Sequence, residues 1–199
     1  MLKNTKVCCA IMGAATALGL LVLPGVASAE PLAEIIDFTY GGNGCPDRSV
    51  GKAFDPVSNT MTLNFDKFMT TLPPGVSTAC TVTFVVKVPR GYQVSLNKVE
   101  YLGYIDTDPT VRGEMRRRYF YGDNPPMSFV KDFAPGSTGD YYIADTFPGW
   151  SLCKETVTVV TTARVDLRGV PTGIARNELV VDAEQFNTKV VYYFGFLPC

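Results

Sequence analysis

The chain has 199 residues with 18 Lys+Arg against 19 Asp+Glu, a formal net charge of −1, and 46% hydrophobic residues. It contains no histidine, which excludes Ser-His-Asp and Cys-His catalysis and every zinc site that uses an imidazole. The near-neutral balance gives no support to a nucleic-acid partner, and the composition calls for no cofactor.

Lys3 and Lys6 precede an apolar run from Val7 to Leu23, and Ala27-Ser28-Ala29 follows just before Glu30. This order of charge, apolar run and small residues is that of a secretory signal peptide, expected to be removed after Ala29. The run is short for a bilayer span, and the later sequence holds no second one, so no stable membrane insertion is expected. Residues 30–199 remain as a single secreted domain of 170 residues, long enough for a proper core. All 19 acidic residues stay while the basic ones fall to 16, so this part carries about −3.

Next comes the turn "GGNGCPDRS", with Cys45 in its middle. In "TMTLNF" Met61, Leu63 and Phe65 alternate with polar residues, the period-two pattern of a strand with one apolar side. A short helical turn is expected around Asp66 to Thr71 or Asp182 to Phe186. "CTVTFVVKV" places Val82, Phe84, Val86 and Val88 inward, and "ETVTVVTTARV" places Val157, Val159 and Val165 inward. The breakers "LPPG", "VPRG", "DTDPT", "GDNPP", "APGSTG" and "FPGW" separate about nine to eleven such runs. The expected fold is all-β, an antiparallel two-sheet β-sandwich.

After the leader four cysteines remain, Cys45, Cys80, Cys153 and Cys199. An even number in a chain bound for an oxidising compartment reads as two disulfides. Three connectivities are open. Cys80 and Cys153 open two similar strands while Cys45 and Cys199 lie near the two ends, so Cys80 with Cys153 and Cys45 with Cys199 is the expected pairing.

In order, "GNGCP", "LNFDKFMTTLPPG", "ACTVTFVVKVPRGYQVSLNKVEYLGYI", "RYFYG" and "WSLC" resemble the landmarks of domain of unknown function 4360, a family of small secreted proteins of bacteria and fungi. The likeness spans about Gly41 to Val165. It implies secretion and a β-rich fold, and no activity.

Four side-chain groups are candidates for function. Asp106 with Asp108, or Asp140 with Asp145, would supply a glycosidase-like carboxylate pair, although Asp in such turns is also ordinary turn chemistry. Asp106 and Asp108 are also the candidates for weak calcium binding, against which stands the lack of an EF-hand pattern. In "RGEMRRRYFYG", Arg116 and Arg118 would share one face with Glu114, either as an anion-binding patch or as a charged face that discourages strand addition. Tyr141, Tyr142, Phe147 and Trp150 surround the loop "GDYYIADTFPGWS", where rings can stack on sugars. Trp150, three residues before Cys153, is the one expected to pack in the core. The first functional reading is a secreted, non-catalytic surface-recognition protein for carbohydrate or a cell-envelope polymer. A carboxylate-dependent hydrolase and an extracellular protein-binding module are the alternatives.

Overall fold

The computed structural model describes residues 32–75, 77–173, 175–182 and 188–199. The expected leader, residues 1–29, lies outside them, as does most of the expected turn from Asp182 to Phe186.

Twelve strands form two antiparallel sheets, and the described residues contain no helix. The smaller sheet runs β1 (Glu34–Gly41), β5 (Thr78–Lys87), β10 (Thr156–Gly169), β7 (Val111–Tyr121) and β8 (Met127–Phe133). The larger runs β2 (Val50–Asp55), β3 (Thr60–Phe65), β12 (Lys189–Pro198), β6 (Tyr92–Asp106), β11 (Glu178–Asp182) and β4 (Phe68–Thr71). Lys98–Asp106 of β6 also pair with β9 (Thr138–Thr146). The β4 strand stands where a helical turn was expected. Phe68 is buried against Phe65 at 5.4 Å between rings, and pairing with β11 supplies the backbone partners.

The core lies where the alternation puts it. Met61, Leu63, Phe65, Val82, Phe84, Val86, Val88, Val157, Val159 and Val165 are all buried. Burying apolar area of this kind is the main stabilising term, about 25 cal/mol per Å² removed from water. Phe84 of the smaller sheet meets Tyr192 and Phe194 of the larger edge-on, at 5.3 and 5.9 Å, so these rings join the two layers.

The disulfides are Cys45–Cys80 and Cys153–Cys199, which corrects the expected pairing. The reason is strand direction. In the antiparallel pair β5–β10, Thr156 faces Lys87 and Val165 faces Thr78, so strands that begin alike begin at opposite ends. Cys80 and Cys153 are therefore held about 25 Å apart, some eight residues of strand. Cys45 instead comes to Cys80 because the GGNG turn folds onto the start of β5, where the Gly44 amide donates to the Ala79 carbonyl. Gly42 permits this approach: its φ is +140°, and a Cβ there would stand 2.2 Å from the Ala79 oxygen. Cys199 follows β12 beside the start of β6, its amide donating to the Gly91 carbonyl, while the Ser151 amide donates to the Val94 carbonyl and brings Cys153 to the same end. Peptide mapping of the unreduced protein should recover these two bridges, and Cys80→Ser should cost about 2–5 kcal/mol in chemical denaturation. A Cys80–Cys153 peptide would contradict the β5–β10 pairing itself.

Candidate functional site

Residues directly opposite in an antiparallel sheet share a face, so the register assigns the side chains. On the solvent face of the larger sheet, Lys98, Glu100, Leu102 and Tyr104 of β6 stand beside Thr146, Ala144, Tyr142 and Asp140 of β9. On the other side of β6, Tyr193 and Val191 of β12 stand beside Lys98 and Glu100.

Glu100 is the centre of this face. Its Oε1 accepts from the Tyr142 phenol at 2.5 Å and from Lys98 Nζ at 2.6 Å, and its Oε2 accepts from the Tyr193 phenol at 2.6 Å. Lys98 Nζ also lies 4.2 Å from the centre of the Tyr193 ring, within cation–π range. Partial burial pushes the Glu100 carboxyl up, but the bonds from Lys98, Tyr142 and Tyr193 outweigh it and hold the group below its ordinary value. The same bond from Glu100 raises Tyr142 and Tyr193, which stay neutral phenols. Tyr142 remains 60% exposed. Three strands thus present an ionised carboxylate, an ammonium and two phenols beside an open ring face. Such a surface can stack on a sugar's C–H face and bond its hydroxyls.

Tyr141 points the other way. Its ring packs on Phe133 at 4.9 Å and its phenol donates to the Val180 carbonyl, crossing β6 over Gly103. A Cβ at Gly103 would come 2.2 Å from the ring and 2.4 Å from the Val180 carbonyl oxygen, so this strand position needs glycine. Trp150 does not take the core place expected of it. The Ser151–Val94 bond and the Gly149 carbonyl, which accepts from Ser95 and Tyr121, fix its backbone along the start of β6. Trp150 is left 38% exposed, and Phe147 fills the core instead, edge-on to Tyr119 at 4.7 Å. Trp150 sits near Val94 and Tyr142 beside Leu102, about 27 Å apart along β6, so the two rings do not form one site.

Arg116 and Arg118 lie on the solvent face of the smaller sheet with Glu114, as the alternation requires. Arg117 faces inward and is 3% exposed. There its Nε and Nη2 bond both oxygens of Asp145 at 2.8 and 2.9 Å, and its Nη1 donates to the Met115 carbonyl. Tyr119 donates to Asp145 Oδ2 at 2.6 Å, and Tyr101 donates in turn to Tyr119 at 2.8 Å. Burial works against the charge on Arg117, and the Asp145 carboxylate more than offsets it.

The same parity separates Asp140 from Asp145, and Asp106, at the end of β6, accepts from the Arg176 amide. Asp145 is committed to Arg117, while Asp140 stands on the outer face of β9 beside Tyr104. The oxygens of Asp108 accept from Thr110 and Thr172, through both amide and hydroxyl groups, and from the Gly173 amide. Burial would raise its pKa, and these donors lower it. They make Asp108 a tie between the β6–β7 turn and the segment after β10. Among the described residues no three acidic, cysteine or histidine side chains are placed to hold a metal.

The model for the domain of unknown function DUF4360 matches residues 32–199. The chain belongs to that family. It is also similar to an uncharacterized secreted protein of Arthroderma benhamiae, 26% identical over 175 residues that cover 83% of this chain and 71% of that protein. Among solved structures, the carbohydrate-binding module TmCBM61 in complex with β-1,4-galactotriose aligns with 9% identity and a TM-score of 0.35. That alignment covers 83% of this chain and 91% of that one.

The sequence reading of this DUF4360 chain missed Lys98, Glu100, Tyr193 and the Arg117–Asp145 pair. Alternation in "LNKVEYLGY" does put Lys98 and Glu100 on one face. Nothing local tells that Tyr193, 93 positions on, and Tyr142 both meet Glu100.

Proposed function

We propose that this chain is a secreted, non-catalytic recognition protein that binds carbohydrate on the outer face of its larger sheet. The leader pattern, the two disulfides and the secreted relative support export. The observation that carries the binding reading is the exposed Tyr142 ring tethered to Glu100 beside Tyr193 and Lys98. The tether restricts the ring before a ligand arrives, so less side-chain entropy is lost on binding. Lys98 and the two phenol oxygens retain hydrogen-bonding capacity for sugar hydroxyls. Neither expected acid pair forms two free carboxylates facing one another, as glycoside hydrolysis would require.

The test is a glycan array on the folded protein, followed by titration of the best neutral oligosaccharide. Tyr142→Ala should weaken binding by about 1–2 kcal/mol with little change in Tm, because the residue lies outside the core. Tyr142→Phe should keep the ring contact and lose the tether. Unchanged affinity in Tyr142→Ala would remove this face as the site.

A further inference from the structure

We propose that the outer face of the smaller sheet is a second binding site, for the carboxylate groups of an acidic polysaccharide, built by Arg116, Arg118 and Arg164. It does not depend on the neutral-sugar reading of the opposite face.

The register places the three arginines together. Arg116 of β7 stands directly between Arg164 of β10 and Val130 of β8, and Arg118, in the next row, stands between Thr162 and Ser128. These six residues line an open groove of about 450 Å³. Like charges directly opposite in a sheet repel, so Arg116 against Arg164 costs stability unless anions answer them. Part of the answer is internal: Glu114 accepts from Nε and Nη2 of Arg116, and Asp166 from Nε and Nη2 of Arg164. A guanidinium has five N–H donors, so each retains its Nη1 group. Arg118 has no carboxylate partner among the described residues, and its guanidinium lies 4.6 Å from the centre of the Phe120 ring. The groove therefore holds three cations and more donors than its own acids use, with no carboxylate in its lining.

The neighbouring rows decide the kind of anion. Beyond Arg116 the next row is Glu114, Asp132 and Asp166, so the positive zone covers only two rows, about 7 Å along the strand. Any long polyanion following the strands, a nucleic acid included, would run from the arginines onto these three acids, so the zone suits a ligand that sets only one or two anionic groups on it. A short oligouronide meets that limit and carries its carboxylates on rings with apolar faces. Val130, 57% exposed in the groove, and Phe120, exposed on the same face in the row beyond Arg118, offer apolar contact beside the guanidinium groups. Arginine pairs with carboxylate through two parallel bonds, which gives direction as well as attraction.

Isothermal titration with an oligogalacturonate, its methyl-esterified form and single-stranded DNA tests the site. The wild-type protein should bind the free acid and not the ester. Arg118→Gln, at an exposed residue without an ion pair, should weaken that binding about ten- to a hundredfold while the melting curve stays unchanged. Tyr142→Ala should leave it intact. No binding of the acid by wild type, equal binding of acid and ester, equal or tighter binding of DNA, or unchanged affinity in Arg118→Gln would each overturn the proposal. Loss in Tyr142→Ala alone would move the ligand to the opposite face, overturning this site without touching the other.

Discussion

Asp145→Ala is expected to destabilise the protein by about 3–5 kcal/mol, because it leaves the Arg117 guanidinium buried without its counter-charge. Arg117 and Asp145 side chains are each 3% exposed, and their pairing is bidentate, at 2.8 and 2.9 Å. The loss extends to Tyr119, whose phenol donates to the same carboxylate, and through it to Tyr101. A buried donor without an acceptor costs about 1–3 kcal/mol by itself, so the network should fail as a unit. Replacing both charges, as Arg117→Met with Asp145→Leu, should recover a large part of the loss, since apolar side chains avoid the cost of burying ions. Urea denaturation of the two variants measures this. A single Asp145→Ala variant within about 1 kcal/mol of wild type would mean that the pair behaves as an exposed one.

That pair also marks the limit of what alternation reveals. In "EMRRRYFY" the period of two puts Met115, Arg117, Tyr119 and Tyr121 on one side, and the structure buries all four. The pattern thus requires one arginine of three to face the core. It does not say which acid meets it, because Asp145 arrives from β9 in the other sheet. Strand faces were legible wherever apolar and polar residues alternate, as in β3, β5 and β10. Strand neighbours were not, and everything that depends on them was lost together. The disulfide pairing failed because it requires knowing that β5 and β10 run in opposite directions. The Glu100 cluster went unseen because it requires β9 and β12 to flank β6. Arg164 likewise joins Arg116 only across a strand pair.

The largest expected effect belongs to Phe84→Asp. Phe84 is fully buried, with its ring edge-on to Tyr192 and Phe194 of the opposite sheet. Truncating a buried phenylalanine typically costs about 3–5 kcal/mol through lost burial and the cavity left behind. A carboxylate in that cavity adds a desolvation penalty of several kcal/mol with no cation at hand to offset it, and domains of this size are stable by only about 5–15 kcal/mol. Phe84→Asp should therefore fail to accumulate as folded protein. Phe84→Ala should fold and show the smaller loss in chemical denaturation. The neighbouring Thr83 is the control, because it lies on the other side of β5, half-buried between Thr39 of β1 and Val160 of β10. Thr83→Asp should cost about 1 kcal/mol, the span between good and poor strand formers. The contrast between adjacent residues isolates facing from local propensity, since a slip of one residue exchanges the two sides of a strand. Equal stability of Phe84→Asp and Thr83→Asp would mean that β5 is not held in this register against β1 and β10.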